Sequence, residues 1–123
     1  MIGASMFEGV NASNGIGIGT AQVAVDPDLT FTPHTVEDTA AEKARYAEAV
    51  TKFIAQTNAQ IERMTKTVGE EAAAIMGAHI EFAEDEGIKE AVNGAIDGGT
   101  CVEQAVSDAY DMYYNMFLGM EDE

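Results

Sequence analysis

The stretch that decides the fold is GEEAAAIMGAHIEFAEDEG, from Gly69 to Gly87. It predicts a helix that Glu70 and Glu71 open, where the partial positive charge of a helix N-terminus favours anions. Its apolar surface comes from Ile75, Met76, Ile80 and Phe82. Three acids, at residues 84–86, close the stretch and oppose the helix dipole. We therefore expect a partner with basic groups, rather than local helix stability, to explain these three acids.

A long helix is predicted before this stretch, over residues 33–68. Thr39-Ala-Ala-Glu42 is a capping-box pattern that could start it, and Thr35-Val-Glu-Asp38 is an alternative start. Gly69 then breaks or bends the chain. Residues at steps of three and four give this helix one stripe for burial. The stripe is Tyr46, Val50, Phe53, Thr57, Ile61, Met64 and Val68.

Two further helices are predicted downstream of the deciding stretch. Gly87 marks a break, and a short helix carrying Ile88, Val92 and Ile96 follows until Gly98-Gly99 ends it. Thr100-Cys-Val-Glu103 is a second capping-box pattern, which opens the last helix. That helix is expected to run on through Gly119, so the chain looks cut rather than finished. Its predicted buried stripe is Val102, Val106, Ala109, Tyr113, Met116 and Met120.

Residues 1–32 have β character instead. Their β-branched residues lie among glycines and turn formers, as in Gly15-Ile-Gly-Ile-Gly19. Two short strands cannot form a stable sheet alone, so this arm needs other strands to pair with. We therefore predict a mainly α fold, in which residues 33–123 form a small antiparallel bundle of two helical hairpins. Residues 1–32 form a short β-type N-terminal arm.

The charge balance narrows the class of partner. The chain of 123 residues has 22 acids against 6 bases, a net charge of −16. Nucleic acid and anionic membranes both require basic patches, so neither is an expected partner. The acids are also uneven: residues 67–123 hold 14 acids and one base, and residues 1–66 hold 8 acids and 5 bases. Such a surface either keeps the protein soluble or faces a basic protein.

The single cysteine, Cys101, excludes a disulfide framework within the chain, which fits a reducing cytoplasm. No apolar run approaches the roughly 18 residues of a membrane span. The N-terminus has no basic segment followed by an apolar core, so no secretory signal is predicted. A cytoplasmic protein is expected.

Two stretches and the last residues carry a family resemblance. GEE, AIM, GAHI and EDE within residues 69–87 resemble the helix that binds the phosphocarrier protein HPr in enzyme I of the bacterial sugar phosphotransferase system. FEGVNASNGIGIGTAQV, from Phe7 to Val23, resembles the opening strand and turn of that family. MEDE, at Met120 to Glu123, resembles the point where the family's helical subdomain runs on towards its active site. The chain thus looks like an N-terminal fragment of a phosphoenolpyruvate–protein phosphotransferase.

The resemblance implies a division of the chain and a docking surface. Residues 1–32 would belong to an incomplete α/β subdomain that carries the phosphohistidine, and residues 33–123 would form the helical HPr-binding subdomain. This chain departs from the commoner pattern in its bulky tyrosines and methionines and in Gly87, where an acid is frequent. The positions that match the docking surface are Glu70, Glu71, Ala74, Ile75, Ala78, His79, Phe82 and Asp85, with Tyr110, Tyr113, Phe117 and Met120 on the last helix.

No catalytic residue is predicted in this chain. The family's phosphorylated histidine lies in a Thr-Ser-His motif, which this sequence lacks. His34 lies in a linker without a neighbouring base, and His79 matches a family histidine that faces HPr and is not phosphorylated. Autophosphorylation by this chain alone should therefore be impossible. Cys101 is more plausibly buried than reactive.

No metal or nucleotide site is predicted either. The acids at positions 70–71 and 84–86 lack the alternating spacing of an EF-hand loop. The magnesium ligands of enzyme I lie in its phosphoenolpyruvate-binding C-terminal domain, so no cofactor is expected here. Gly15-Ile-Gly-Ile-Gly19 lacks the third glycine at the spacing of a dinucleotide site and has no Gly-Lys-Ser/Thr.

The Met and aromatic cluster near the end has two interpretations. Stripes of this kind are usually core, but the composition is also that of an adaptable protein-binding surface. Its members are Met112, Tyr113, Tyr114, Met116, Phe117 and Met120.

Alternatives remain for the function and the assembly. The chain could belong to an enzyme I–like module of a multi-domain phosphotransferase of the dihydroxyacetone kinase type, or it could be a non-enzymatic acidic helical module that binds another basic protein. A free-standing enzyme is disfavoured, because no nucleophile–base pair is visible. Full enzyme I is expected to dimerise through its C-terminal domain. This chain is expected to be a monomer, or an artificial dimer that swaps the unpaired arm.

Overall fold

The computed structural model describes residues 6–10 and 12–120. Its helices are α1 (Thr39–Val68), α2 (Glu70–Glu84), α3 (Glu86–Asp97) and α4 (Val102–Leu118). Helix α1 packs along α2 and α3 packs along α4, while α1 also touches α3 and α4. The predicted mainly α fold of two helical hairpins is confirmed. Within the described ranges, no helix is long and apolar enough to cross a membrane.

The hydrophobic core lies between α3 and α4. Residues four apart on α3 turn the same side of that helix inward. Each fully buried aliphatic side chain stabilises the fold by roughly 1.5–3 kcal/mol, so this contact is the main apolar contribution to folding. Tyr46 of α1 packs partly buried against the cluster. The buried residues are Ile88, Val92 and Ile96 of α3 with Val102, Ala105 and Ala109 of α4.

Helix α1 starts later and is capped differently from the prediction. Asp38 is its N-cap, and the Asp38 carboxylate accepts a hydrogen bond from Ala41 N at 2.9 Å. Thr39 is the first helical residue, so the predicted Thr39–Glu42 capping box is wrong. Glu42 lies a full turn beyond the cap, where its carboxylate reaches another helix. It accepts a hydrogen bond from Val102 N, the first residue of α4, at 2.8 Å.

The predicted capping box at the start of α4 is also wrong. Cys101 is the N-cap, it is fully buried, and its side chain makes no capping hydrogen bond. Thr100 instead pairs with Thr35 in an isolated antiparallel bridge. Glu103 turns away to an ion pair with Arg45 of α1, which also binds Glu42 at 3.1 Å. The N-terminus of α4 is therefore satisfied from α1, in agreement with the rule that buried helix ends need partners.

The break between α2 and α3 falls at Asp85, not at Gly87 as predicted. Asp85 is non-helical, with φ −58° and ψ 126°, and its carboxylate accepts from Ile88 N at 2.9 Å. It is thus the N-cap of α3, with Glu86 in the first turn, where negative charge stabilises a helix. The expectation that local helix stability cannot explain these acids is wrong for Asp85 and Glu86. It holds for Glu84, the last residue of α2.

Helix α4 ends at Leu118, and Gly119 is its C-cap. The prediction that the helix runs on through Gly119 is therefore wrong. The predicted stripe is buried only at the start of the helix. Met116 and Met120 are 51% and 67% exposed. Helix α3 has 12 residues and α4 has 17, so α4 extends past the helix that covers it.

The predicted buried stripe of α1 is also partly exposed. Thr57 is buried, but Phe53 and Val68 are 40% and 61% exposed. Val68 is the last residue of α1, next to the turn into α2, and Phe53 borders an open groove. The N-terminal arm forms no strand among the described residues, and its Ile16 and Ile18 are almost completely exposed. That exposure agrees with the expectation that the arm needs strands from elsewhere.

Replacing Glu42 by Ala should destabilise the protein by about 1–2 kcal/mol, because it removes the only side-chain cap described for α4 and one partner of Arg45. Chemical denaturation followed by circular dichroism measures the change. Glu48→Ala is the matched control, since Glu48 pairs only with exposed Lys52 on the same helix and such pairs contribute little. Equal losses in the two variants would contradict the capping role.

The Glu103–Arg45 pair should make stability depend on acid pH. The hydrogen bond from Arg45 lowers the pKa of Glu103 below its ordinary value of 4.5. The stabilising contribution is therefore fully present above about pH 4.5 and is lost as pH falls through the lowered pKa. Between about pH 5 and pH 3, the free energy of unfolding should fall more steeply for the wild type than for Glu103→Gln. Glu62→Gln, an exposed control, should follow the wild type.

Candidate functional site

The two faces of α2 differ in what they meet. Ala73 and Ala83 are buried, and α1 is the helix that packs along α2. The opposite face carries large apolar side chains in solvent, with Ile75 70% exposed and Phe82 47% exposed. A helix held by small residues on one side and carrying exposed large ones on the other is suited to contact a further protein.

The eight docking positions predicted on or beside α2 are all exposed. Glu70 and Glu71 lie in the first turn, beside the exposed apolar residues, and Asp85 follows the last turn. The α2 face therefore consists of an apolar centre with acids at both ends. Its members are Glu70, Glu71, Ala74, Ile75, Ala78, His79, Phe82 and Asp85.

The end of α4 presents a second apolar surface. Three of the four positions predicted there are exposed: Tyr110 by 43%, Phe117 by 53% and Met120 by 67%, whereas Tyr113 is half-buried. Their neighbours Met112, Tyr114 and Met116 are between 51% and 63% exposed. The interpretation of this cluster as core is therefore wrong for most of its members, and the surface interpretation is the one the structure supports. We call the exposed residues 110–120 the α4 end.

The α2 face and the α4 end meet at one described contact. The Tyr113 hydroxyl donates to Oδ1 of Asp85 at 3.4 Å, and the same hydroxyl lies close above Gly87. The backbones of α2 and α4 do not approach each other closely in the described parts of the chain, although Ala83 and Tyr110 line a common groove. The sequence had identified Gly87 as a break between two helices and as a replacement for an acid. Its proximity to Tyr113, which is distant in the chain, gave no signal in the sequence.

An apolar groove of about 560 Å³ lies on the other side of α4, against α1. Tyr110 lines this groove together with Ala83 of α2. Burial raises the pKa of the Tyr110 phenol, and the negative charge of Asp85 adds to that effect. Three residues of the predicted burial stripe of α1, Tyr46, Val50 and Phe53, line the opposite wall. The lining includes Leu29, Phe31, Tyr46, Val50, Phe53, Ala83, Val106 and Tyr110.

The electrostatic character of the surface follows from the shortage of bases. Lys89, the single base after residue 66, is taken up by an ion pair with Glu86 at 3.1 Å. Burial raises the pKa of the Tyr113 phenol, and the nearby negative charge of Asp85 adds to that effect. Tyr113 therefore remains a neutral hydrogen-bond donor at neutral pH. The acids at the ends of the α2 face are left to act on an approaching partner.

The two histidines and the cysteine lie apart from one another. His34 Nδ1 is 3.1 Å from the carbonyl oxygen of Thr32 in the exposed linker, and His79 is exposed on α2. Cys101 is fully buried beneath the start of α4. Over residues 6–10 and 12–120, no three carboxylate, histidine or cysteine side chains cluster in a way that could hold a metal ion. What this surface offers chemically is apolar area and negative charge.

The fold and the surface together define an acidic helical module with an exposed apolar face. The chain belongs to the family described as "PEP-utilising enzyme, N-terminal", whose model matches residues 8–123. This match extends over the arm and all four helices.

Curated relatives carry the name phosphoenolpyruvate-protein phosphotransferase. The protein from Streptococcus equinus is 36% identical over 118 residues, which is 95% of this chain and 20% of the relative. Those from Lactococcus lactis subsp. lactis and Enterococcus faecalis are each 32% identical, over 96% and 95% of this chain and 21% and 20% of their own lengths. The chain thus spans about a fifth of the length of these relatives.

The exposed face of α2 should be dispensable for folding. We expect Ile75→Ala to change the free energy of unfolding by less than about 0.5 kcal/mol, because Ile75 is already largely in solvent. Ile96→Ala, which empties a fully buried site, should cost about 2–5 kcal/mol. Urea unfolding of both variants tests the contrast, and a large loss in Ile75→Ala would show that the α2 face is part of the core.

Proposed function

We propose that this chain is the HPr-docking portion of a phosphoenolpyruvate–protein phosphotransferase, enzyme I. That enzyme transfers phosphate from phosphoenolpyruvate to a histidine of HPr during sugar uptake. The observation that carries the proposal is the α2 face, on which exposed Ile75 and Phe82 lie between acids in a chain of this family. The relatives named for the same activity support it.

The proposed division of the chain is the one that the family resemblance implies, and the chain spans about a fifth of the length of its relatives. Residues 33–123 form the docking subdomain, and residues 1–32 contribute to the α/β subdomain that carries the phosphohistidine. The phosphorylated histidine, the phosphoenolpyruvate site and the magnesium ligands belong to other parts of the enzyme. The residues described here offer magnesium no cluster of ligands. The enzyme acts in the cytoplasm as a homodimer, and this chain alone is inactive.

Docking combines steering with desolvation. HPr presents its reactive histidine beside basic residues on a surface with apolar ridges, and the acids flanking the α2 face complement those residues. Charge complementarity raises the association rate and fixes the register. The apolar centre excludes water and supplies much of the affinity. The result is proximity, since docking holds the HPr histidine where the phosphohistidine can reach it.

The α4 end completes the surface with adaptable side chains. Methionine is unbranched and polarisable, so it fits partners of different shape. Phe117 and Met120 are more than half exposed, and Tyr113 connects them to the α2 face through Asp85. We assign to this part the contacts that differ between HPr orthologues, and to Glu70 and Glu71 the electrostatic contact that they share.

A titration of isotope-labelled protein with HPr, followed by NMR at low and moderate salt, tests the proposal. We expect saturable shifts over residues 70–85 and 110–120 that weaken as salt rises, because screening reduces attraction between exposed charges. No shifts from a folded chain would contradict the proposal and favour the non-enzymatic module that binds another basic protein. The alternative, a multi-domain phosphotransferase of the dihydroxyacetone kinase type, is tested by the same titration with the HPr-like domain of such a protein. Tighter binding of that domain than of free-standing HPr would favour the alternative.

Charge reversal locates the contact. Glu70→Lys with Glu71→Lys should weaken HPr binding at least roughly tenfold at low salt, since attraction between the two proteins becomes repulsion. The matched control is Glu48→Lys with Glu62→Lys, which makes the same change in net charge on exposed positions of α1. A similar loss in both double variants would show a dependence on net charge alone and would contradict the assigned face.

A further inference from the structure

The junction between α2 and α3 is also where α4 is held. Oδ1 of Asp85 accepts two hydrogen bonds, from Ile88 N at 2.9 Å and from the Tyr113 hydroxyl at 3.4 Å. One carboxylate oxygen thus caps α3 and also accepts a hydrogen bond from a side chain of α4. Asp85 therefore acts within the protein's own junction, in addition to carrying charge at the edge of the α2 face.

The absence of a side chain at Gly87 leaves the space that the Tyr113 hydroxyl occupies. A Cβ added at Gly87 would lie 2.3 Å from the Tyr113 hydroxyl oxygen, a separation that atoms in proteins do not sustain, and 3.7 Å from Cζ of the same ring. The first distance requires Tyr113 to move, whereas the second is an ordinary van der Waals contact. The same Cβ would lie 3.2 Å from Oδ1 of Asp85, which would have to shift by a few tenths of an ångström, so the severe contact is the one with the hydroxyl group.

Other glycines of the helices do not have this relation. Gly94 lies in the same helix α3, is exposed, and would bring an added Cβ within 4 Å of nothing. Gly77 in α2 is equally open. Backbone conformation does not require glycine at position 87, because its φ is not positive. The close approach of the Tyr113 hydroxyl, together with the tight contact to Asp85 Oδ1, is the physical reason the structure gives for glycine there.

We propose that Gly87 and Tyr113 form a size-matched pair of positioning residues, which sets how the α4 end is held against the α2 face and so selects which HPr surface fits. The inference rests on the proposed function, because HPr is the ligand whose fit it describes. Since the Tyr113 hydroxyl is hydrogen-bonded to Asp85 at the junction of α2 and α3, a side chain at position 87 displaces either the Tyr113 ring or the α4 end. Either displacement changes the surface where the α2 face and the α4 end adjoin.

The test is a cycle of four proteins: wild type, Gly87→Ala, Tyr113→Phe and the double variant, with Gly94→Ala as control. Dissociation constants for HPr are measured by calorimetry, and thermal midpoints are measured without HPr. Gly94→Ala should raise the midpoint or leave it unchanged, because alanine favours helix over glycine. In Gly87→Ala this preference is opposed by the contact with Tyr113, so affinities are compared at a temperature at which the measured midpoints show every variant to be folded.

We expect Tyr113→Phe to remove the additional loss of HPr affinity that Gly87→Ala causes. Gly94→Ala should bind HPr as the wild type does, Gly87→Ala should bind roughly tenfold more weakly, and Tyr113→Phe roughly threefold more weakly through its lost hydrogen bond. The double variant should bind no more weakly than Tyr113→Phe alone, since removing the hydroxyl removes the 2.3 Å contact and the remaining contact with Asp85 Oδ1 needs a shift of only a few tenths of an ångström. Such non-additivity is the signature of two residues in direct contact.

Contrary results distinguish an error in the proposed function from an error in the role of Gly87 and Tyr113. If the wild type does not bind HPr at all, the proposed function is wrong and this inference is wrong with it. If the wild type binds and reversal at Glu70 and Glu71 weakens it, but Gly87→Ala matches Gly94→Ala, only the inference is wrong. Additive losses in the double variant would overturn it as well.

Discussion

The carboxylate of Glu42 at the N-terminus of α4 is the interaction on which the arrangement of the helices depends. Cys101 cannot cap the helix it precedes, and a buried helix end without a partner is costly. Glu42, only 12% exposed, supplies the acceptor from α1 and also binds Arg45, which holds Glu103. The first hairpin is thereby fixed to the second at one end. Tyr113 and Asp85 fix them at the other.

The acids of this chain serve two separate purposes. Asp85 and Glu86 stabilise the start of α3, and Glu42 the start of α4, so their presence follows from helix energetics. Glu70 and Glu71 occupy an equally favourable first turn, yet they are exposed beside an apolar face that folding leaves unburied. A negative net charge alone therefore says little about a partner. The combination of acids with an exposed apolar centre is what supports one.

Local sequence patterns predicted the helices, the family resemblance supplied the positions of the α2 face, and the tertiary contacts lay beyond both. The spacing of Ile88, Val92 and Ile96 was sufficient to predict the buried side of α3, because periodicity depends on near neighbours. The cap that Glu42 places on Val102 joins residues 60 positions apart, so a motif that looked local was satisfied elsewhere. The exposure of Met116 and Met120 depends on the difference in length between α3 and α4, which the apolar periodicity of α4 alone does not indicate.

The break at Asp85 thus accounts for several features of the candidate surface at once. Because the chain turns there, α3 is too short to cover the whole of α4, and the α4 end stays in solvent. The carboxylate that makes the turn also receives Tyr113, so the same residue positions the uncovered end beside the α2 face. A continuous helix through residues 70–97 would remove both the cap and this contact. The candidate surface is therefore a product of the break, and Gly87 is the residue that leaves room for Tyr113 there.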